Sequence, residues 1–101
     1  MIIDLNRLAD VDGQKVQIVA DSQAARVVLF RLVEGGKIAP HRSDSRVHLY
    51  CVEGEGTFQV GENHYPVKPG CMAVCEPGVL HGMQAAERMS ILAFITPSPT
   101  S

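Results

Sequence analysis

Four histidines and three cysteines carry the most reactive chemistry in this chain: His41, His48, His64 and His81, and Cys51, Cys71 and Cys75. An imidazole titrates near neutrality and can move a proton or ligate a metal, whereas a thiolate is a nucleophile and a soft ligand. Cys71 and Cys75 stand four apart, so on a strand they face the same side. Such a pair could hold zinc beside a second pair, but there is none, which leaves them as buried apolar filler. Three cysteines cannot complete a disulfide framework, and reduced thiols are expected. Cys51 would act as a nucleophile only where a nearby cation or base lowers its pKa. His64, in Gly-Glu-Asn-His-Tyr, belongs to a surface hairpin. Val47 and His48 are adjacent on an apolar run, so in a regular strand only one of them can point inward.

The elements that must position these residues are strands. From Gln14 onward the chain alternates or runs apolar in short segments bounded by glycine and proline: 14–20, 24–33, 37–39, 47–52, 57–60, 64–67, 71–75, 79–84 and 89–95. Residues 24–33 are almost continuously apolar, as in a strand covered on both faces. Ile2, Ile3, Leu5 and Leu8 fit a short strand or one helical turn, broken by Asp10, Asp12 and Gly13. Eight or nine short strands at intervals of about eight to twelve residues imply an all-β fold, an antiparallel sandwich or barrel. At 101 residues there is room for one domain, expected over 1–95. Residues 96–101, Thr-Pro-Ser-Pro-Thr-Ser, have nothing apolar to bury and are expected to be a disordered tail.

Composition narrows the partners. Hydrophobic residues make up 46% and charged residues 20%, with a net charge of -2 and no basic patch, so neither nucleic acid nor an anionic membrane is expected. The longest apolar runs, Val27 to Phe30 and Ile91 to Ile95, are far too short to span a bilayer. The first residues have no basic segment followed by an apolar one, so a cytoplasmic location is expected.

Two segments resemble the motifs of the small single-domain cupins. Gly35, five residues, His41 and later Gly54 follow the family's first motif. Gly70 and Gly78, with two residues between Gly78 and His81, follow the second, and Glu76 occupies its proline slot. The intervening hairpin, Gly54 to Gly70, is also of the family's length, and the match covers Gly35 to Ala85. The resemblance implies an antiparallel double-stranded β-helix, or jelly-roll barrel, with His41 and His81 at its mouth. It also implies a homodimer in which N-terminal strands extend the partner's sheet.

The chain departs from the family where ligands should be. Ser43 fills the second histidine slot, Val47 the glutamate slot and Ala85 the asparagine slot. Two imidazoles are fewer than the three or more protein ligands usual for a divalent metal. His48 lies seven residues after His41, at a family spacing, and a bulge in its strand would turn it inward. His41, His48 and His81 would then form a three-histidine face for one Fe, Ni, Cu or Zn ion, with Cys51 nearby; otherwise no metal is expected. The resemblance therefore implies a small-molecule-binding protein with a weak or absent metal site, its pocket formed by His41, Cys51, Phe58, His81, Met83 and Phe94. The alternatives are a three-histidine dioxygenase-like or isomerase-like enzyme, and a metal-free epimerase with a histidine base and Tyr50 or Tyr65 as acid. Glu76 is either a rim carboxylate or a solvated turn charge, and Arg42, Asp44, Ser45 and Arg46 make a charged loop before the barrel strand.

Overall fold

The short β-rich runs pair into nine strands among the described residues. They are β1 (Lys15–Asp21), β2 (Arg26–Leu32), β3 (Lys37–His41), β4 (Arg46–Glu53), β5 (Gly56–Val60), β6 (Asn63–Val67), β7 (Met72–Cys75), β8 (His81–Ala85) and β9 (Met89–Thr96). The computed structural model describes residues 1–5 and 13–99; Leu8, Asp10 and Asp12 lie outside them, and no strand forms in 1–5. One sheet has the order β1-β2-β9-β4-β7 and the other β3-β8-β5-β6, with every pairing antiparallel. Among the described residues no helix is long and apolar enough to cross a membrane.

The two sheets bury one core between them, holding Leu32, Leu49, Phe58, Met89 and Ile91. β2, with β1 and β9 on either side, is covered on both faces, since the adjacent Val28 and Leu29 are both buried. The sheets are joined tightly where β4 passes into β5. Gly54 takes a positive φ of 80° there, and a Cβ on it would collide with the Arg88 carbonyl. A Cβ on Gly56 would collide with the Gln84 carbonyl, so both positions require glycine for closeness of backbones.

Two local departures from the expected strands matter for the site. β8 begins at His81 rather than at Val79, because residues 76–79 close a turn in which the Val79 amide donates to the Glu76 carbonyl at 3.1 Å. Gly78, at φ 83°, donates its amide to the Ser43 carbonyl at 2.8 Å and so ties this turn to the loop after β3. β3 runs on to His41 and contains an irregularity: Ile38 pairs with Met83, but His41 pairs with His81, so three steps on β3 match two on β8. The extra residue falls at Ala39-Pro40. Proline has no N–H to give a ladder, and bulges are among the few places a sheet accepts it.

The tail expectation is corrected for residues 96–99. Thr96 ends β9, the Ser45 hydroxyl donates to the Pro97 carbonyl at 2.7 Å, and the Ser98 hydroxyl donates to the Asp21 carboxylate at 2.6 Å. Polar anchoring, invisible to a search for apolar residues, holds this segment.

Candidate functional site

The bulge in β3 creates the site. Counting from the inward Ile38, a regular strand would send His41 to the outer face. The extra residue restores it to the inner face, directly across from His81. The two rings lie 4.4 Å apart between centres, tilted by 59°. His81 is 3% exposed, while His41 stands at the exposed mouth.

Both rings are oriented by backbone carbonyls two residues before them. His41 Nδ1 lies 3.1 Å from the Ala39 oxygen and His81 Nδ1 3.0 Å from the Val79 oxygen. A carbonyl only accepts, so each Nδ1 carries the proton, and in the neutral ring Nε2 presents its lone pair. Burial pushes the His81 pKa below its ordinary value, the neighbouring His41 adds to that, and the hydrogen bond to Val79 opposes it.

The rings open on a cavity of about 230 Å³. Its walls are Phe30, Val47, Leu49, Met83, Ala93 and Ile95, with Arg42, Ser43 and Pro99 at the rim. The arrangement is an apolar chamber with two adjacent hydrogen-bond acceptors, suited to a molecule with an apolar body and a donor-rich end.

His41, His81 and Met83 thus meet as expected, but the other candidate residues do not. Cys51 and Phe58 point inward yet are fully buried in the core, beyond the cavity. Burial pushes the Cys51 thiol up, and it donates to the Gly54 carbonyl at 3.2 Å, the opposite of an activated nucleophile. Phe94 pairs across β9 and β4 with His48, on the face turned away from the core. The continuous apolar run of β9 hides which parity faces inward.

His48 shares that outer face with Phe94 and Val74, while Val47 takes the cavity wall. β4 does contain an irregularity, but it falls between Cys51 and Glu53, past His48, and cannot turn it. The three-histidine face is therefore not formed. Among the described residues no three histidine, cysteine or carboxylate side chains converge as a metal site, and the residues present do not fit a divalent ion with three protein ligands.

Tyr50 faces outward on β4 beside Met72, and Tyr65 is 49% exposed on β6, so neither lines the histidine cavity as an acid. Glu76 pairs with Arg46 in the open, at 2.9 Å. His64 is exposed on β6, as expected for the hairpin. Cys71 and Cys75 both pack toward the core, and all three thiols are free. Sequence reasoning missed the rim residue Pro99 and the walls Phe30 and Ile95. Both lie on nearly continuous apolar runs, where alternation gives no sign of which residues face inward.

Residues 28–95 match the family model described as the cupin domain. The chain is 24% identical over 91 residues to L-ectoine synthase from Halomonas elongata, across 88% of this chain and 66% of that protein, so it spans just under two thirds of that relative's length. Among solved structures it resembles the TT1209 protein from Thermus thermophilus, with TM-score 0.88 and 29% identity over 97% of this chain and 98% of that one. It also resembles an uncharacterised double-stranded β-helix protein from Klebsiella pneumoniae, with TM-score 0.88 and 19% identity over 99% and 92% of the two chains. With the family model spanning most of the chain and the two-sheet barrel built as its motifs implied, the chain belongs to the cupin family.

Proposed function

We propose that the chain binds a small molecule in the His41–His81 cavity, with the ligand's polar end donating hydrogen bonds to the paired Nε2 atoms. The observation that supports this reading is the pair of rings held side by side, each with Nδ1 committed to a carbonyl, above an otherwise apolar chamber. Two lone pairs side by side recognise a donor-rich group such as a vicinal diol, an amine or an amide, and disfavour a carboxylate. A volume of about 230 Å³ is below the 300 Å³ or more of most drug-sized sites, so the ligand is metabolite-sized.

A thermal-shift screen of small diols, amines and amides tests it. Ligands that raise the melting temperature of the wild type should lose that effect in His81→Phe, which keeps the bulk and removes the acceptor. Hits that persist unchanged in His81→Phe would place the ligand elsewhere.

A second reading is a two-imidazole metal site completed by ligand or water. Carbonyl contacts at Nδ1 are the kind that orient metal-ligating histidines. Elemental analysis of untagged protein prepared without chelators distinguishes the two. About one equivalent of a transition metal that disappears in His41→Ala supports the metal reading, whereas metal retained in that variant counts against it.

We further propose a homodimer in a reducing, cytoplasmic setting. Val16 and Ile18 on the edge strand β1 are 55% and 53% exposed, and Met72 and Val74 on the opposite edge are 55% and 50% exposed. A monomer in light scattering at micromolar concentration would overturn the dimer.

A further inference from the structure

The last described residues cross the rim of the histidine cavity. After Thr96 the ladder of β9 ends, and Pro97 and Pro99 have no N–H with which to continue one. What holds the segment is polar and falls into two kinds. At Pro97, itself exposed, the carbonyl accepts from Ser45, a hydroxyl on a residue only 6% exposed, and this part-buried bond makes a hinge. At Ser98 the anchors lie at the end of β1 and in the turn after it: its amide donates to the Gln23 carbonyl at 3.2 Å, and its hydroxyl donates to the Asp21 carboxylate at 2.6 Å. The other Asp21 oxygen accepts from Arg26 at 3.0 Å, so the carboxylate is fixed in place. Clefts flank the segment on both sides, one bounded by Asp21 and Arg26 and the other by Ser43 and Asp44. Pro99, just beyond the Ser98 anchors, stands at the rim of the cavity that holds His41 and His81.

We propose that residues 97–99 are a strap across the cavity, hinged at Pro97 and latched by Ser98 on Asp21, whose release admits the ligand. The geometry separates what must break from what stays. Opening costs two hydrogen bonds at Ser98 and leaves the part-buried Ser45 bond and the whole β9 ladder intact. Segments with few apolar contacts and exposed hydrogen bonds open most readily. The strap thereby limits which molecules reach the imidazoles: with it latched, Pro99 bounds the chamber, and longer ligands are excluded. The inference deepens the reading of this cavity as the ligand site, and its test reads access to His81 directly.

Diethyl pyrocarbonate acylates neutral imidazole and serves as the probe, with each histidine followed by peptide mass spectrometry. His48 and His64 lie on outer faces away from the strap and act as internal references. In the intact 101-residue chain His81 should react far more slowly than His64. Ser98→Ala removes the latch hydroxyl and should raise the His81 rate about fivefold, as expected for loss of one exposed hydrogen bond of ordinary net strength. A chain ending at Thr96 should raise it at least as much, with His48 and His64 unchanged in both. An unchanged His81 rate in cooperatively melting Ser98→Ala overturns the strap. If the shortened chain unfolds, all four histidines accelerate together and Ser98→Ala decides alone. A ligand screen without hits would overturn the proposed function and leave the labelling result standing.

Discussion

The two ends of the barrel are built from the same strands and treat their interior in opposite ways. At one end Cys51, Met89 and Ile91 are completely buried, and Gly54 and Gly56 bring β4 and β5 against the β8–β9 connection with no room for a methyl group. At the other end, a few residues along the same ladders, Val47 and Ile95 face a cavity, and two imidazoles sit where apolar side chains would close it. The sealed end is packed solid, and the open end holds the cavity and the paired imidazoles. The open end is tolerated because its polar groups are satisfied: both Nδ1 atoms and the buried Ser45 hydroxyl have carbonyl partners.

This division can be broken by substitution, with effects that shrink from the sealed end outward. Phe58→Ala, at a fully buried position, should lose about 3–5 kcal/mol of unfolding free energy, read from the denaturant midpoint. A loss below about 1 kcal/mol would mean the sealed end is not the stability centre. His81→Phe should cost much less near pH 7, about 1–2 kcal/mol, for the Val79 carbonyl left without its donor.

The pH dependence sharpens the same contrast. With its folded pKa pushed below 6.5, His81 binds fewer protons in the folded than in the unfolded state. Stability should therefore decline as pH falls through about 6.5 and level off below the folded pKa. That slope should flatten in His81→Phe; an equal slope in both proteins would assign it to another group. Thiol labelling gives a slower readout of the core as a whole, since Cys51 lies at the sealed end and Cys75 pairs with Val47 beside the cavity. Burial pushes Cys51 and Cys75 up, so neither should react with a disulfide reagent until the protein unfolds. The smallest effect belongs to the exposed Arg46–Glu76 pair, whose replacement by alanine at either position should leave the melting midpoint unresolved from wild type.

The strand count and the antiparallel class were legible because period-two alternation and turn glycines are local signals, whereas the two pocket histidines were legible only through the motif resemblance, since a regular count puts His41 on the outer face. Parity alone said only that Val47 and His48 face opposite ways; which of them faces in was decided by where the bulge in β4 falls, past His48. Depth was not legible. Cys51 and Phe58 face inward as expected, but whether an inward side chain meets a cavity or a packed core depends on the facing sheet. Phe94 went to the wrong face because every residue of 91–95 is apolar, which erases the alternation that assigns faces. The anchoring of residues 97–99 rests on Ser45, Gln23 and Asp21, all more than fifty residues away in sequence, and composition carries no trace of such pairings.

The irregularity at Ala39-Pro40 gives the site an unusual mode of loss. Most binding sites decay by degrees as point substitutions blunt one contact after another. Here the presence of His41 in the chamber depends on whether the residues between Ile38 and His41 are odd or even in number relative to β8. Deleting a single codon there would swing the imidazole to the opposite face while leaving the barrel's other eight strands with their sequences untouched. Related chains could therefore gain or lose this chemistry in one insertion or deletion step, a transition that counting substitutions would not reveal.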